Sequence, residues 1–124
     1  MVLADGVFDP LHVGHLRYLH AAARFGSPLV VNIAPDEAIV AKGRKPFQNR
    51  LERATMILAL GMVDGVRLLT LPEAIRTLAP KVLVKGHDWQ HKLPDDVIVA
   101  CTEMGTVMVF TQTQDRTSTE RLRA

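Results

Sequence analysis

The chain has 124 residues and a mass of 13.7 kDa, enough for one domain with one aliphatic core and too little for two catalytic domains. Aromatic residues make up 5% of it, and 15 Lys and Arg against 13 Asp and Glu give a formal charge of +2. Proteins that bind duplex DNA need a larger excess of positive charge, and surfaces for single strands need stacking aromatic residues. We therefore expect no nucleic-acid partner.

The one cysteine, Cys101, lies in the apolar segment Val97–Cys101 and is expected to be a small buried side chain. A single cysteine forms no intrachain disulfide, which suits a reducing compartment. The first residues lack the basic lead and apolar run of an export signal, and no segment has the roughly 18 apolar residues of a membrane helix. We expect a cytoplasmic protein without a membrane partner, forming a single domain over residues 1–124.

Short apolar runs alternate with helical patterns along the chain. The runs predict strands at Val2–Ala4, Leu29–Ile33, Val63–Leu69, Val82–Val84 and Thr106–Phe110. The patterns between them predict helices around Leu16–Ala23, over Asn49–Leu60, from Pro72 to before Pro80, over Pro94–Met104 and from Ser118. In the second helix the residues expected to face inward are Leu51, Ala54, Ile57 and Leu58. The alternation predicts an α/β fold, a Rossmann-like αβα sandwich on a five-stranded parallel sheet, with ligands at the carboxyl ends of the strands.

The first predicted strand runs directly into a loop with two histidines, His12 and His15, and a helix follows. Free N–H groups and the helix dipole favour phosphate at such a position. Imidazole N–H groups can stabilise charge on a phosphorus centre, and Gly14 leaves room for a nucleotide to approach the backbone. A metal pair or two surface histidines are the alternatives. The spacing is weak for zinc without a helical carboxylate, so we predict no metal site here.

Residues 6–15 read GVFDPLHVGH, which resembles the G-x-F-D-x-x-H-x-G-H signature of the cytidylyltransferase-like nucleotidyltransferases. The resemblance implies that His12 and His15 stabilise the transition state of attack on the α-phosphate of a nucleoside triphosphate (NTP). Neither needs to act as a base, because the attacking phosphate oxygen is already ionised. The resemblance also implies nucleotide contacts for Gly6, Val7, Phe8 and Gly14. It covers nearly the whole chain, since later landmarks of the family recur in order.

Residues 42–53 concentrate five basic side chains, those of Lys42, Arg44, Lys45, Arg50 and Arg53. A flexible basic loop that opens a helix can close over a triphosphate and a phosphorylated substrate. A solvated loop is the alternative, and a nucleic-acid patch is a weaker one given the overall charge. The family has a lysine and a helix arginine at this spacing. The resemblance therefore implies that Lys42 is catalytic and that Arg53 binds phosphate.

The fourth predicted strand runs into a turn over Gly86–Trp89. Gly86 permits a close backbone approach, Asp88 offers an acceptor, and Trp89 offers a flat face or an N–H group to a base or substrate. The alternative is that Trp89 only caps the core. The turn resembles that of the heptose 1-phosphate adenylyltransferases and also that of the glycerol-3-phosphate cytidylyltransferases.

Hydroxyl residues precede the last predicted helix, where they can cap it or hold a phosphate. They resemble the family's S-T-T/S element, which holds the β and γ phosphates. The resemblance implies phosphate contacts for Arg116, Thr117, Ser118 and Thr119. Glu120 stands where the family usually has a third small hydroxyl residue.

Together these features predict transfer of a nucleoside monophosphate from an NTP to a phosphorylated sugar or alcohol, with release of pyrophosphate. Mg²⁺ is expected with the NTP, held mainly by triphosphate oxygens and water, and Asp9 either contacts it indirectly or orders its loop. The segment Pro80–Trp89 most resembles the heptose adenylyltransferases, and this resemblance favours ATP and a sugar phosphate of the heptose 1-phosphate type. The alternative is CTP with glycerol 3-phosphate or a phosphocholine-like acceptor, because Ala4–Asp9 resembles the phosphocholine cytidylyltransferases. A nucleotide-binding protein without turnover is a third possibility, and family resemblance implies a homodimer.

Overall fold

Five parallel strands form the centre of the molecule in the computed structural model, which describes residues 1–112. The elements in chain order are β1 (Val2–Gly6), α1 (Val13–Ala23), β2 (Leu29–Ile33), α2 (Asp36–Val40), α3 (Arg50–Leu58), β3 (Gly65–Arg67), α4 (Leu71–Leu78), β4 (Val82–Lys85), one turn of 3-10 helix (His87–Trp89), α5 (Asp95–Met104) and β5 (Val107–Phe110). The strand order is β3-β2-β1-β4-β5, and each neighbouring pair is parallel. The predicted Rossmann-like α/β fold with a five-stranded parallel sheet is therefore confirmed.

The apolar core divides between the two faces of this sheet because alternate residues of a strand point to opposite sides. In β1, Val2 and Ala4 belong to a cluster that contains residues of α1 and α3. Leu3 points the other way, into a cluster with residues of α4 and α5. Cys101 belongs to that second cluster and is 1% exposed, as the sequence predicts.

The central strand β1 lies between β2 and β4, so the chain leaves the carboxyl end of β1 at the point where the strand order reverses. A crevice opens at such a switch point in parallel α/β sheets. The buried hydroxyl of Tyr18 on α1 donates to the carbonyl of Val84 and accepts the N–H of Asp5 at 3.1 Å. This contact fastens the helix that follows the histidine loop to both strands at the crevice.

Two details of the helices differ from the expectations. The short helix α2 (Asp36–Val40) was not predicted, since a helix of one and a half turns has too little periodicity to be recognised. On α3, Leu51 is 67% and Leu58 is 50% exposed, so the prediction that they face inward is wrong. The inward face holds Arg53 with Ala54 and Ile57 instead. No helix among residues 1–112 is long and apolar enough to cross a membrane.

Candidate active site

A cavity of about 1300 Å³ opens at the carboxyl ends of the central strands. Within the described chain, every predicted site residue except Arg53 lines it, namely Gly6, Val7, Phe8, His12, Gly14, His15, Lys42, Gly86, Asp88 and Trp89. Three separate segments of the sequence therefore meet in one place. The predicted phosphate contacts of Arg116, Thr117, Ser118 and Thr119 lie outside the described residues.

The two histidines cap helix α1 reciprocally. His12 is the N-cap residue, and its Nδ1 accepts the backbone N–H of Gly14 at 3.0 Å. The backbone N–H of His12 in turn donates to Nδ1 of His15 at 3.1 Å. The rings stack with their centroids 3.6 Å apart. Each imidazole therefore uses one nitrogen to build the helix start, and within residues 1–112 its Nε2 has no hydrogen-bond partner.

This capping also sets the proton positions. An Nδ1 that accepts a hydrogen bond carries no proton, so the neutral ring is protonated at Nε2 and is a donor there. Burial, followed by the charge of neighbouring His12, lowers the pKa of His15 from 6.5 to about 4. At neutral pH His15 is therefore an uncharged Nε2–H donor at the N-terminal end of α1, where the helix dipole is positive.

The glycines of the histidine loop make room for its own side chains. A Cβ at Gly6 would lie 2.7 Å from the ring of Phe8, and one at Gly14 would lie 2.8 Å from the ring of His12. The missing side chain at Gly14 thus makes room for the ring of His12, and Gly14 itself lines the cavity. Phe8 itself has φ +54°, uncommon for an aromatic residue, and is held there by burial and by an edge contact with His15 at 5.2 Å.

Asp9 orders the basic loop. It is 6% exposed, and its two carboxylate oxygens accept the backbone N–H groups of Phe47 and Gln48, both at 2.8 Å. Its carbonyl accepts the guanidinium of Arg44 at 3.4 Å. Of the two roles considered for Asp9, the contacts support the ordering of its loop. The histidine loop and the basic loop are therefore clamped together.

Arg53 is fully buried beneath the site. Its guanidinium donates to the carbonyls of Val7 and Ala34 at 2.8 Å and lies 2.6 Å from a carboxylate oxygen of Asp36. A third carbonyl, that of Gln48, accepts its Nε at 3.2 Å. These contacts occupy the donors expected to bind phosphate, so Arg53 in this structure is a positioning residue that ties the loops after β1 and β2 to α3.

Arg50 is engaged in a similar way, donating to the carbonyls of Ile33 and Leu69, both at 2.9 Å. Lys42 is different. It follows α2, is exposed and lines the same cavity as the histidines. Of the five basic residues in the loop, Lys42 is the one on the cavity wall, and the two helical arginines serve the fold.

The far wall of the cavity is the turn after β4. A Cβ at Gly86 would lie 2.8 Å from the carboxylate of Asp88, so the glycine makes room for that side chain. Trp89 is half-buried, and the ammonium of Lys85 lies 4.5 Å from its ring centroid. Trp89 thus borders the cavity as well as covering buried structure.

Asp5, Asn32 and Lys85 also line the cavity, although the sequence reasoning did not single them out. Nζ of Lys85 lies 3.1 Å from a carboxylate oxygen of Asp5, with side chains 5% and 12% exposed. The signal that could have found them is the position of polar residues at the ends of otherwise apolar strands. No group of three or more His, Cys, Asp or Glu residues within 1–112 is arranged to hold a metal ion.

A family model described as cytidylyltransferase-like matches residues 3–124. D-beta-D-heptose 1-phosphate adenylyltransferase of Bordetella bronchiseptica is 39% identical over 106 residues, which are 80% of this chain and 65% of that protein. The bifunctional protein HldE of Campylobacter curvus is 40% identical over 97 residues, 74% of this chain and 21% of that protein. FAD synthase of Thermococcus sibiricus is 40% identical over 93 residues, 70% of this chain and 62% of that protein. The chain spans less than two thirds of each of these relatives.

Two solved structures resemble the fold. A lipopolysaccharide core biosynthesis protein from Thermoplasma volcanium has a TM-score of 0.77 and 27% identity, covering 91% of this chain and 96% of that one. A protein from Archaeoglobus fulgidus has a TM-score of 0.65 and 20% identity, covering 90% of this chain and 88% of that one. The second likeness supports the fold alone.

Proposed function

Because the chain belongs to the cytidylyltransferase-like family, we propose that it transfers a nucleoside monophosphate from an NTP to a phosphorylated acceptor. A phosphate oxygen of the acceptor attacks the α-phosphorus, the bond from that phosphorus to its leaving oxygen breaks, and pyrophosphate departs. The observation that carries the proposal is the reciprocal capping of His12 and His15, which leaves two Nε2 donors on one wall of the cavity.

The chain's own groups account for the electrostatic part of this reaction. Negative charge grows on the oxygens of the α-phosphate as the acceptor attacks, and preorganised donors aimed at it lower the barrier. The two Nε2–H groups would supply these donors, and the dipole of α1 would add a positive potential at its start. Lys42 would neutralise the triphosphate from the opposite loop. Since the attacking oxygen is already ionised, no base is required. Mg²⁺ enters as part of the NTP substrate, on triphosphate oxygens and water.

For the substrates we propose ATP and a sugar phosphate of the heptose 1-phosphate type. The segment Pro80–Trp89 resembles that of the heptose enzymes, and two of the relatives are named D-beta-D-heptose 1-phosphate adenylyltransferase and bifunctional protein HldE. Transfer from CTP to glycerol 3-phosphate or a phosphocholine-like acceptor is the alternative, supported by the segment Ala4–Asp9. A cytoplasmic homodimer is a further prediction, supported by family resemblance and the single buried cysteine.

Pyrophosphate release tests the proposal. The full chain is incubated with Mg²⁺ and either ATP or CTP, together with heptose 1-phosphate, glycerol 3-phosphate or phosphocholine. We expect the fastest release with ATP and heptose 1-phosphate. Faster release with CTP would favour the cytidylyl alternative.

Thermal shift with each NTP completes the test, because a ligand that binds only the folded state raises the melting temperature. If an NTP raises it and no pair releases pyrophosphate, the chain binds nucleotide without turnover. If neither nucleotide binds, the assignment of the cavity is wrong.

A further inference from the structure

A buried polar cluster lines part of the cavity wall, and the proposed transfer reaction leaves it without a role. It consists of Asp5, Asn32 and Lys85, which stand at or near the carboxyl ends of β1, β2 and β4. Asp5 is directly opposite Asn32 in the sheet, and the side-chain amide of Asn32 donates to Oδ1 of Asp5 at 3.0 Å. Lys85 donates to the other carboxylate oxygen at 3.1 Å.

A contribution to fold stability does not explain well why this cluster lies here. The side chains of Lys85 and Asp5 are 5% and 12% exposed, so both charges have lost most of their water. The free energy lost on desolvation of such a pair commonly matches or exceeds the Coulombic gain, and apolar residues of similar size would serve the core as well. The other residues of these three strands are largely apolar. A charged pair on a cavity wall is therefore better explained by something the cavity binds.

The hydrogen-bonding capacity of the cluster indicates what that is. Asn32 is fully used, because its amide donates to Asp5 and to the carbonyl of Leu69 while its oxygen accepts the N–H of Leu69. Each carboxylate oxygen of Asp5 accepts one hydrogen bond from within residues 1–112 and so keeps an unused lone pair there. Among the described residues Lys85 makes one hydrogen bond with its three donors. An acceptor and a donor thus lie side by side, which matches a hydroxyl group that donates to one and accepts from the other.

The charge of the cluster argues against two other ligand groups. Asp5 balances Lys85, so the pair offers little attraction to a phosphate, which has Lys42 and the histidines elsewhere on the wall. A quaternary ammonium group would need an open aromatic face. The face of Trp89 nearest the cluster is already covered by the ammonium of Lys85 at 4.5 Å.

We propose that Asp5 and Lys85, held in place by Asn32, bind hydroxyl groups of the acceptor and thereby select a polyhydroxylated phosphate over a phosphocholine-like one. This inference rests on the proposed function, since it names the acceptor class of the same site. Asp5 and Lys85 are specificity-determining residues here, and Asn32 is a positioning residue that fixes the carboxylate.

The first experiment compares the full wild-type chain with Asp5→Asn and Lys85→Met. The Michaelis constants of ATP and of heptose 1-phosphate are measured separately by pyrophosphate release. We expect each variant to raise KM for the sugar phosphate at least about tenfold, because a buried partner is left unpaired, with KM for ATP within about twofold. Arg76→Gln, which removes an exposed ion pair with Glu103, is the control for a general loss of stability and should change neither constant.

The hydroxyl groups of the nucleotide ribose could also bind to Asp5 and Lys85. The experiment distinguishes them from the hydroxyl groups of the acceptor. If Asp5→Asn raises KM for ATP and this effect disappears with 2′-deoxy-ATP, the cluster reads the ribose and the proposal is overturned. Better turnover of phosphocholine than of sugar phosphates by the wild-type chain would overturn it as well.

Direct binding keeps this inference distinguishable from the transfer activity. The wild-type chain is titrated calorimetrically with heptose 1-phosphate, with a deoxy analogue and with phosphocholine. This measurement requires no turnover, and it does not depend on whether a variant folds. We expect the sugar phosphate to bind at least about tenfold more tightly than either comparison ligand. Equal affinities would refute the role of the cluster even if pyrophosphate release proceeds. If the sugar phosphate binds most tightly but no pyrophosphate is released, the proposed transfer activity is contradicted and the role of the cluster is not.

Discussion

In each of the two site histidines, one ring nitrogen caps helix α1 and the other is proposed to act on the substrate. Nδ1 of His12 and of His15 completes the start of α1, both residues line the cavity, and no described residue hydrogen-bonds to either Nε2. The helix start therefore holds the tautomer that makes Nε2 a donor. A side chain that keeps the capping acceptor of Nδ1 but lacks the Nε2 donor therefore separates the structural role from the proposed catalytic role.

Asparagine is such a side chain, because its oxygen can occupy the position of Nδ1, and at the N-cap position of His12 it is among the most favoured residues. We predict that His12→Asn and His15→Asn each lower kcat by about a hundredfold, the cost of losing one donor to a developing oxyanion. KM for the NTP should change little. Pyrophosphate release at saturating substrates measures the effect.

His20→Asn is the matched control, since His20 is exposed in the last turn of the same helix. It should leave kcat unchanged. Melting temperatures of the site variants near that of the wild-type chain would show that the cap survives. Normal turnover of His15→Asn would remove His15 from the mechanism.

At the level of helices and strands, the sequence predicts the elements whose positions are set by apolar periodicity and by helix-breaking residues. The apolar runs place all five strands, although β1 continues to Gly6 and β3 is shorter than expected, at Gly65–Arg67. Asn49, predicted to begin the second helix, is its N-cap, with a reciprocal bond to Glu52. The motif GVFDPLHVGH identified the family because its spacing is specific, and the family model confirms that identification.

The sequence could not predict where charged residues turn inward. Arg53 takes the inward face of α3 because the carbonyls of Val7 and Ala34 need donors there, which is a property of loops far apart in sequence. With that face filled, Leu51 and Leu58 point outward. Asp5 and Lys85 are 80 positions apart, so their pairing depends on strand order, which no local pattern contains.

The clamp between Asp9 and the basic loop leads to a prediction at this scale. In Asp9→Asn one carboxylate oxygen becomes an amide donor that faces a backbone N–H, so a hydrogen bond to Phe47 or Gln48 is lost and a repulsive contact replaces it. We expect a looser loop, faster tryptic cleavage after Lys42 and Arg44, and KM for the NTP raised about tenfold. Limited proteolysis and steady-state kinetics measure these changes.

Glu37→Gln is the control for this experiment, because Glu37 is an exposed acid on neighbouring α2. It removes the same charge without touching the loop and should cleave and turn over as the wild-type chain does. Unchanged proteolysis in Asp9→Asn would mean that other contacts order the loop.

Across the whole molecule, the small net charge conceals a separation of roles. Arg50 and Arg53 are used to fix the loops around the switch point, and Lys85 is balanced by Asp5. Of the basic residues between positions 42 and 53, Lys42 lines the cavity, and in the proposed reaction it would attract phosphate together with the dipole of α1. The phosphate-binding and hydroxyl-binding parts of the proposed site thus lie on different walls, and a phosphorylated polyol can span them.

The lowered pKa of His15 couples this site to the stability of the whole chain. In the unfolded chain the imidazole takes up a proton near pH 6.5, whereas in the folded chain it does so only near pH 4, with burial the main cause. Between these values the unfolded state binds more protons, so the free energy of unfolding falls as the pH decreases. Above pH 6.5 its contribution is complete and constant.

Urea unfolding of the wild-type chain and of His15→Asn from pH 4 to pH 8 isolates this contribution, because the variant keeps the cap and loses the titrating group. We expect the difference in unfolding free energy to shift in favour of the variant as the pH falls below about 6.5 and to level off near pH 4. A bound NTP should oppose the loss, since phosphate oxygens beside Nε2 favour the protonated ring. Parallel curves for the two proteins, with the His15 ring titrating near pH 6.5 by NMR, would show that the ring is not held neutral by the fold.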